Sequence, residues 1–420
     1  MFFATMTKRH VKQASIRGSL RGEADRKGPE AMNETVELQF ENMVQWRRHL
    51  HRNPELSYME KETAAFVAEK LESFGIEVRR NVGGHGLIGI VKGALPGRTV
   101  ALRADMDALP ISEESGAEYA SKREGVMHAC GHDGHTAALL GAAQYFAERR
   151  EQLEGEIRLL FQASEEVCPG GAKPMIEEGA LEGVDAVYGV HLWTPLPIGT
   201  AASVAGPMMA STDEFFIDIT GRGGHGGMPH ETVDSIIAAS ALVMQLQTIV
   251  SRSVDPLRPA VLSVGTINGG FAQNVVAETT RITGTVRTFD EETRALIRRR
   301  IEEMSRQIAE AYGASAQVDY LVGYPALINH ASETERFFRI APEALPGFNI
   351  EIAKPLMPAE DFAYYLQEKP GCFMLVGAGN SEKGFVYPHH HPRFDFDESA
   401  LSASATLLIA MAESALQQKD

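Results

Sequence analysis

The sequence is poor in cysteine, in net positive charge and in long hydrophobic segments, and each shortage argues against a class of protein. Cys130, Cys168 and Cys372 are an odd number without regular spacing, so we expect no disulfide-rich secreted domain and predict a cytoplasmic protein. The formal net charge of -16 argues against a nucleic-acid binder, which would need a basic face. No apolar run reaches the roughly 18 residues needed to cross a bilayer, so we predict no membrane span.

The first part of the chain also lacks periodic apolar residues. Residues 1–31 are rich in lysine and arginine but have no uninterrupted apolar stretch of the kind that a secretory signal needs. Met32 directly precedes the first segment with helical periodicity. We therefore predict that residues 1–31 form a disordered extension.

The length of 420 residues exceeds what one hydrophobic core usually supports, and two kinds of segment follow the extension. In the first, predicted helices alternate with short apolar runs that are typical of buried strands. This alternation predicts an α/β fold with a mostly parallel sheet covered on both faces. The predicted strands of this part are Leu87–Val91, Thr99–Ala104, Ile157–Gln162 and Ala186–Val190.

A second segment, residues 211–322, has a different order of elements. Its apolar patterns predict β-α-β-β-α-β, the order of a small ferredoxin-like sandwich. The α/β alternation resumes after it. We therefore predict a discontinuous α/β domain, residues 32–210 and 323–420, with residues 211–322 inserted as a smaller domain.

The densest group of chemically active side chains lies in the run His128-Ala-Cys130-Gly-His132-Asp133-Gly-His135, just before a predicted helix. Thiolate and imidazole groups are preferred ligands of a borderline divalent ion such as zinc. A single buried histidine is usually structural. Three histidines and a cysteine within eight residues favour a metal site.

Carboxylates and a further histidine follow other predicted strands. Glu165 and Glu166 come after Ile157–Gln162, and His191 comes after Ala186–Val190. The carboxyl ends of parallel strands form one edge of a sheet, where α/β proteins place their sites. Of two adjacent carboxylates, one can bind a metal while the other faces water.

Four motifs together resemble the M20 metallopeptidase/amidohydrolase family, and most closely its N-acyl-amino-acid amidohydrolases, which include hippurate and auxin-conjugate hydrolases. The resemblance covers the chain from about Val44 to Leu416. The motifs are Arg103-Ala-Asp-Met-Asp-Ala-Leu-Pro110, Met127-His-Ala-Cys-Gly-His-Asp-Gly-His135, Phe161-Gln-Ala-Ser-Glu-Glu166 and Gly189-Val-His-Leu-Trp193.

The resemblance implies hydrolysis of N-acyl-L-amino acids at two divalent ions, which could be zinc, manganese, cobalt or nickel. It also implies that Glu165 is the general base and that Asp107 orients a ligand imidazole. Asp105 stands where many relatives have histidine, so it could be a ligand or a supporting group. The implied ligands are Cys130, His132, Glu166, His191 and one histidine of the run 389–391, for which we choose His390 by position.

The inserted segment has candidates of its own. The run Gly221-Arg-Gly-Gly-His225 resembles a lid motif whose histidine stabilises an oxyanion, often across a dimer interface. His225 is therefore assigned to catalysis, and a homodimer or dimer of dimers joined through the small domain is expected. Asn274 and Arg287 match substrate-contacting positions. Arg287 would suit a carboxylate, although a solvated charge near Asp290 is an equally simple interpretation.

Parts of the sequence also fit three other functions. The glycine run at 221–226 also has dinucleotide-binding spacing, but no acidic residue ends a strand about 20 residues later, as ribose binding needs. A Cys130 nucleophile leaves the paired carboxylates unexplained. A non-catalytic dimer of the same fold, binding metal or peptide, remains the alternative to an enzyme.

Overall fold

The structure, a computed structural model, describes residues 29–418. Of the predicted N-terminal extension, residues 1–28 lie outside the described residues. Its last three residues belong to the first helix, which begins at Pro29 and not at Met32. The helices are α1 (Pro29–Arg52), α2 (Lys61–Ser73), α3 (His132–Glu148), α4 (Ala172–Glu177), α5 (Ser235–Thr248), α6 (Glu291–Ala311), α7 (Ala331–Ala344), α8 (Ala363–Glu368) and α9 (Ala400–Leu416).

Sixteen strands are present among the described residues. They are β1 (Glu77–Arg80), β2 (Leu87–Lys92), β3 (Leu95–Asp105), β4 (Glu154–Gln162), β5 (Ala186–Pro197), β6 (Thr200–Ser203), β7 (Gly206–Met209), β8 (Asp213–Thr220), β9 (Gly224–His225), β10 (Ala260–Gly269), β11 (Val275–Val276), β12 (Thr279–Thr288), β13 (Ser315–Val322), β14 (Leu327–Asn329), β15 (Asn349–Ile352) and β16 (Gly371–Gly379).

Eight strands form one large mixed sheet in the order β1-β2-β4-β3-β5-β16-β6-β15. Its centre, β4-β3-β5-β16, is parallel, whereas β1, β2 and β6 introduce antiparallel pairs towards the edges. The predicted α/β class is confirmed. The short edge strands were not predicted from the sequence, because short half-exposed segments have weak periodicity. The helix α7 was also not predicted, although its 14 residues have an amphipathic pattern.

Hydrophobic cores cover both faces of this sheet. On one face α1, α2, α3, α7 and α9 pack their apolar side chains, including Met43, Leu139 and Leu408. On the other face α4 and α8 cover the sheet with Met175 and Tyr365. With both faces buried, the central strands carry near-continuous apolar runs, which is why the sequence predicted them correctly.

A second sheet of four antiparallel strands has the order β10-β12-β8-β13. Together with α5 and α6, its strands follow the chain order β-α-β-β-α-β that the sequence predicts. Burial alternates along β8, because one face packs on the helices through Phe215 and Ile217 and the other face is open. The first strand starts at Asp213 and the last ends at Val322.

One helix among the described residues bears on the expectation that no membrane span is present. Residues 235–253, which include α5, are long and apolar enough to cross a bilayer by length and composition alone. One such helix is weak evidence for a membrane span, since core helices of water-soluble domains have similar length and composition. Here Ala238, Leu242 and Leu246 are fully buried in the core of the four-stranded sheet.

Candidate metal centre

The five predicted metal ligands come together beside the central strands of the large sheet. The Sγ of Cys130 lies 3.6 Å from Nε2 of His191. The Oε1 of Glu166 lies 3.8 Å from Nε2 of His132 and 3.4 Å from Nε2 of His390. Cys130 belongs to two triads whose potential ligand atoms lie within 4.8 Å of one another, Cys130–His132–His191 and Cys130–Glu166–His390.

Two atoms in this cluster are buried without a hydrogen-bond partner among the described residues, Nε2 of His132 and Oε1 of Glu166. Buried polar atoms in folded proteins are nearly always satisfied. Both are lone-pair donors suited to a divalent cation, and both face the other ligand candidates. The residues present therefore fit a metal pair.

The loop before α3 aims Cys130 and His132 into the cluster. Gly131, with φ 92°, adopts a left-handed conformation directly before the helix starts at His132, a backbone geometry that side-chain-bearing residues rarely adopt. The Nδ1 of His132 lies 2.9 Å from the carbonyl oxygen of Asp107 and 3.2 Å from its Oδ1. These contacts orient the imidazole so that Nε2 faces inward.

The sequence predicts that His191 follows the end of a strand, but His191 lies within β5. This strand continues to Pro197, whereas the neighbouring β3 pairs with it only as far as Gly189. His191 therefore lies beyond the part of β5 that pairs with β3, although β3 itself continues to Asp105 beside β4. Its Nδ1 donates to the carbonyl of Leu192 at 2.8 Å, which leaves Nε2 facing Cys130.

The three consecutive histidines 389–391 have different surroundings. His389 donates from Nε2 to the carbonyl of Leu192 at 2.9 Å and stacks on Trp193. His391 stacks on Tyr387. Only His390, in a left-handed conformation with φ 63°, points to Glu166. The geometry therefore favours His390 as the ligand of this run.

Asp105 lies beside the cluster, with Oδ2 3.7 Å from Nε2 of His132, and both of its carboxylate oxygens accept hydrogen bonds. Oδ1 accepts from Nδ1 of His135 at 2.6 Å, and Oδ2 accepts from Arg103 at 2.6 Å. Nε2 of His135 accepts in turn from the backbone N–H of Leu192 at 2.9 Å, so His135 has no free nitrogen. Of the two roles left open for Asp105, support of the cluster fits better than coordination.

The cluster carries more negative charge than it can balance by itself. Burial alone would lower the pKa of His132, but Asp105 and Asp107 raise it to about 10. Burial, together with Glu360 and Glu166, raises the pKa of Glu165 well above its ordinary value. A bound cation would lower the pKa of both groups, because positive charge disfavours the imidazolium and favours the carboxylate. The electrostatics therefore agree with the unsatisfied ligand atoms.

Glu165 sits at the inner side of the cluster and is 7% exposed. Its Oε2 lies 4.0 Å from Nε2 of His132, and its carboxylate is grouped with those of Glu360 and Asp361. The next residue, Glu166, donates its backbone N–H to Asp107 at 2.9 Å. The two adjacent carboxylates meet at one imidazole, since Oε1 of Glu166 lies 3.8 Å from the same Nε2 of His132.

The three candidates in residues 211–322 form no hydrogen bond or ion pair with this cluster among the described residues. His225 and Asn274 are exposed, and Gly226 donates its backbone N–H to the carbonyl of Asn274 at 2.7 Å. No contact joins His225 to the cluster among the described residues. Arg287 is half-buried and forms no ion pair within the described part of the chain, while Asp290 pairs instead with Arg258.

The sequence analysis missed the buried charges that support the site. Arg103 contacts Glu360 at 3.0 Å and Asp361 at 2.8 Å, more than 250 residues away in the chain. Arg47 of α1 donates to Asp133 at 2.8 Å. Buried pairs that are so distant in sequence have no local pattern, so no motif could have indicated them.

The comparisons with known proteins agree with this geometry. An N-acyl-L-amino acid amidohydrolase of Geobacillus stearothermophilus is 52% identical over 290 residues, 69% of this chain and 78% of that protein. An N-acetyl-L-cysteine deacetylase of Bacillus subtilis is 44% identical over 374 residues, covering 89% of this chain and 88% of that protein.

A solved structure points to the same family. A dinuclear metal-binding peptidase of the M20 family from Bacillus subtilis superposes with a TM-score of 0.78 at 34% identity, over 91% of this chain and 100% of that one. The family model described as peptidase family M20/M25/M40 matches residues 101–414. The chain is therefore a hydrolase that belongs to peptidase family M20/M25/M40.

Proposed function

We propose that this protein hydrolyses the amide bond of N-acyl-L-amino acids with the help of two divalent metal ions. The observation that carries the proposal is the convergence of Cys130, His132, Glu166, His191 and His390 around one point, with Glu165 beside them and not needed as a ligand. The names of the two similar hydrolases, which act on N-acyl-L-amino acids and N-acetyl-L-cysteine, support this class of substrate.

The two triads suggest how the ligands divide. His132 and His191 would hold one ion, Glu166 and His390 the other, and Cys130 would be shared because it belongs to both triads. When bound, such an ion pair polarises the amide carbonyl and lowers the pKa of water. Which metal is native depends on availability as well as on ligand type, so zinc, manganese, cobalt and nickel are all candidates.

Glu165 is proposed as the general base. It accepts a proton from the attacking water and passes it to the amide nitrogen as the carbon–nitrogen bond breaks. Burial near other carboxylates favours a glutamate that can hold a proton between the two steps. Asp107 holds the His132 imidazole in the orientation that directs Nε2 inward.

Residues 211–322 are proposed to form a lid and dimerisation domain. His225 is exposed and lies apart from its own cluster, which agrees with a role for His225 of the partner subunit in stabilising the oxyanion. Arg287 is proposed to bind the substrate carboxylate, because its guanidinium is partly desolvated without an acidic partner among the described residues. Asn274 is proposed to contact substrate next to His225.

A cysteine-nucleophile mechanism is disfavoured by the surroundings of Cys130. A reactive thiolate needs a positive environment. Burial, together with Glu166 and Glu165, instead raises the pKa of Cys130 well above its ordinary value.

The test combines chelation with one substitution. Exhaustive chelation should abolish hydrolysis of acetyl, benzoyl and indole-acetyl amino acids, and zinc, manganese, cobalt or nickel should restore it. Glu165→Gln should keep two metals per chain by elemental analysis and lose activity by a factor on the order of 10² to 10⁴. Full activity of the chelated protein, or near-normal kcat of Glu165→Gln, would refute the proposal. Metal binding without turnover of any substrate would favour the non-catalytic alternative.

A further inference from the structure

The chain passes between the two sheets twice, and the two crossings lie side by side. At the first crossing Thr212 donates its backbone N–H to the carbonyl of Tyr324 on the second, at 3.0 Å. Next to it, Gly323 donates its backbone N–H to Oδ1 of Asp213 at 3.0 Å, at the start of β8. The position of Tyr324 therefore follows the position of the four-stranded sheet.

Tyr324 also contacts the loop that carries the glutamates. Its hydroxyl donates to the backbone carbonyl of Glu165 at 2.7 Å, and the residue is 4% exposed. A Cβ added to Gly323 would lie 3.0 Å from Sγ of Cys168, and one added to Gly170 would lie 3.0 Å from the Tyr324 hydroxyl. The second crossing is thus closely packed against the loop over residues 165–170.

The backbone at this point of the loop is unusual. Ser164, directly before Glu165, has φ 60°, which is uncommon for a residue with a side chain. Oε1 of Glu60 accepts from the Ser164 backbone N–H at 2.7 Å and from its hydroxyl at 3.1 Å. Glu60 therefore holds Ser164, the residue before Glu165, and Tyr324 holds the carbonyl of Glu165 itself.

We propose that Tyr324 is a positioning residue that couples the placement of the four-stranded sheet to the aim of the Glu165 carboxylate. Glu60 fixes Ser164 and Tyr324 fixes the carbonyl of Glu165, so the Glu165 side chain is aimed correctly only while both sets of hydrogen bonds are kept. Tyr324 is the partner that moves with the four-stranded sheet. The proposal rests on the proposed function, in which Glu165 is the base.

The experiment compares Tyr324→Phe with a matched control, Tyr364→Phe, in the metal-loaded full-length protein. The two rings are in edge contact at 6.1 Å, but Tyr364 makes no hydrogen bond to Glu165. Tyr324→Phe keeps the ring and loses the hydroxyl. We expect kcat to fall about 10-fold while KM stays within about 3-fold, since a base displaced by a fraction of an ångström slows the reaction and leaves binding intact. The control should keep both constants within about 2-fold.

Two further measurements separate positioning from general stability. Metal content should remain two per chain in both variants. Amide hydrogen exchange over residues 163–171 should be faster in Tyr324→Phe alone. Unchanged kcat in Tyr324→Phe, an equal loss in Tyr364→Phe, loss of metal, or failure of Tyr324→Phe to fold would each overturn the proposal. Glu165→Gln is assayed in parallel: if it is inactive while Tyr324→Phe is fully active, only the inference on Tyr324 fails, whereas an active Glu165→Gln removes the proposed function itself.

Discussion

Arg47 and Asp133 form a buried ion pair, with Nε of the arginine 2.8 Å from Oδ2 of the aspartate and both side chains inaccessible to solvent. Arg47 lies on α1, and Asp133 lies between the ligand candidate His132 and Gly134 at the start of α3. The same guanidinium reaches Asp395 at 2.6 Å, close to the loop of His390. One arginine thus joins the start of α3, which carries His132, to the segment that follows His390.

Arg47→Met should strongly destabilise the protein. Removing one partner of a buried pair leaves an uncompensated charge, which costs about 3–5 kcal/mol. The neighbouring Arg48 is a matched control, because it is 39% exposed and pairs only with Glu398 among the described residues. Arg48→Met should cost less than about 1 kcal/mol. Thermal melting at equal protein and metal concentrations checks both, and equal shifts in the two variants would contradict the assignment.

His390→Gln should lower the metal content from two ions per chain towards one. The reason is that His390 is the residue of the histidine run that approaches Glu166. His391→Gln serves as the control, since His391 stacks on Tyr387 and lies outside the cluster. Elemental analysis after equilibration with limiting metal measures the difference. Loss of an ion in the His391 variant with retention in the His390 variant would reverse the assignment.

Arg287→Lys should raise KM for N-acyl-amino acids about 10-fold, because lysine cannot pair bidentately with a carboxylate. A substrate whose carboxylate is replaced by a carboxamide should be hydrolysed equally by the variant and the wild type. Arg281→Lys, on the same strand but 54% exposed and paired with Asp218, is the control and should change neither constant. Equal effects on acid and amide substrates would show that Arg287 does not recognise the carboxylate.

Exposed apolar side chains on α5 offer a surface for the dimer that we propose through residues 211–322. Ile237 and Met244, seven residues apart on one face of α5, are 52% and 70% exposed, and β10 is an edge strand of the four-stranded sheet. Met244→Glu should give a monomer by sedimentation, with reduced activity because His225 can no longer reach a partner's site. Leu38→Glu, at a site 58% exposed on α1, should leave the association state unchanged. An active wild-type monomer would contradict the crossed-subunit role.

The amino-acid sequence by itself was sufficient for the order of the main elements and for the identity of the candidate ligands. Buried central strands and amphipathic helices have strong local periodicity, and Cys130, His132 and Glu166 stand in compact motifs. These features depend on residues that are close together in the sequence, so they can be recognised without coordinates.

Only the tertiary structure decided which groups meet. The choice among His389, His390 and His391 depends on the backbone direction at one left-handed residue, and the support role of Asp105 depends on its contacts with Arg103 and His135. The ties from Arg47 and Tyr324 join residues that are far apart in the chain. A buried charge or hydroxyl requires a hydrogen-bonding or charged partner. The packing of helices and strands decides which residue supplies that partner, so the sequence alone does not reveal it.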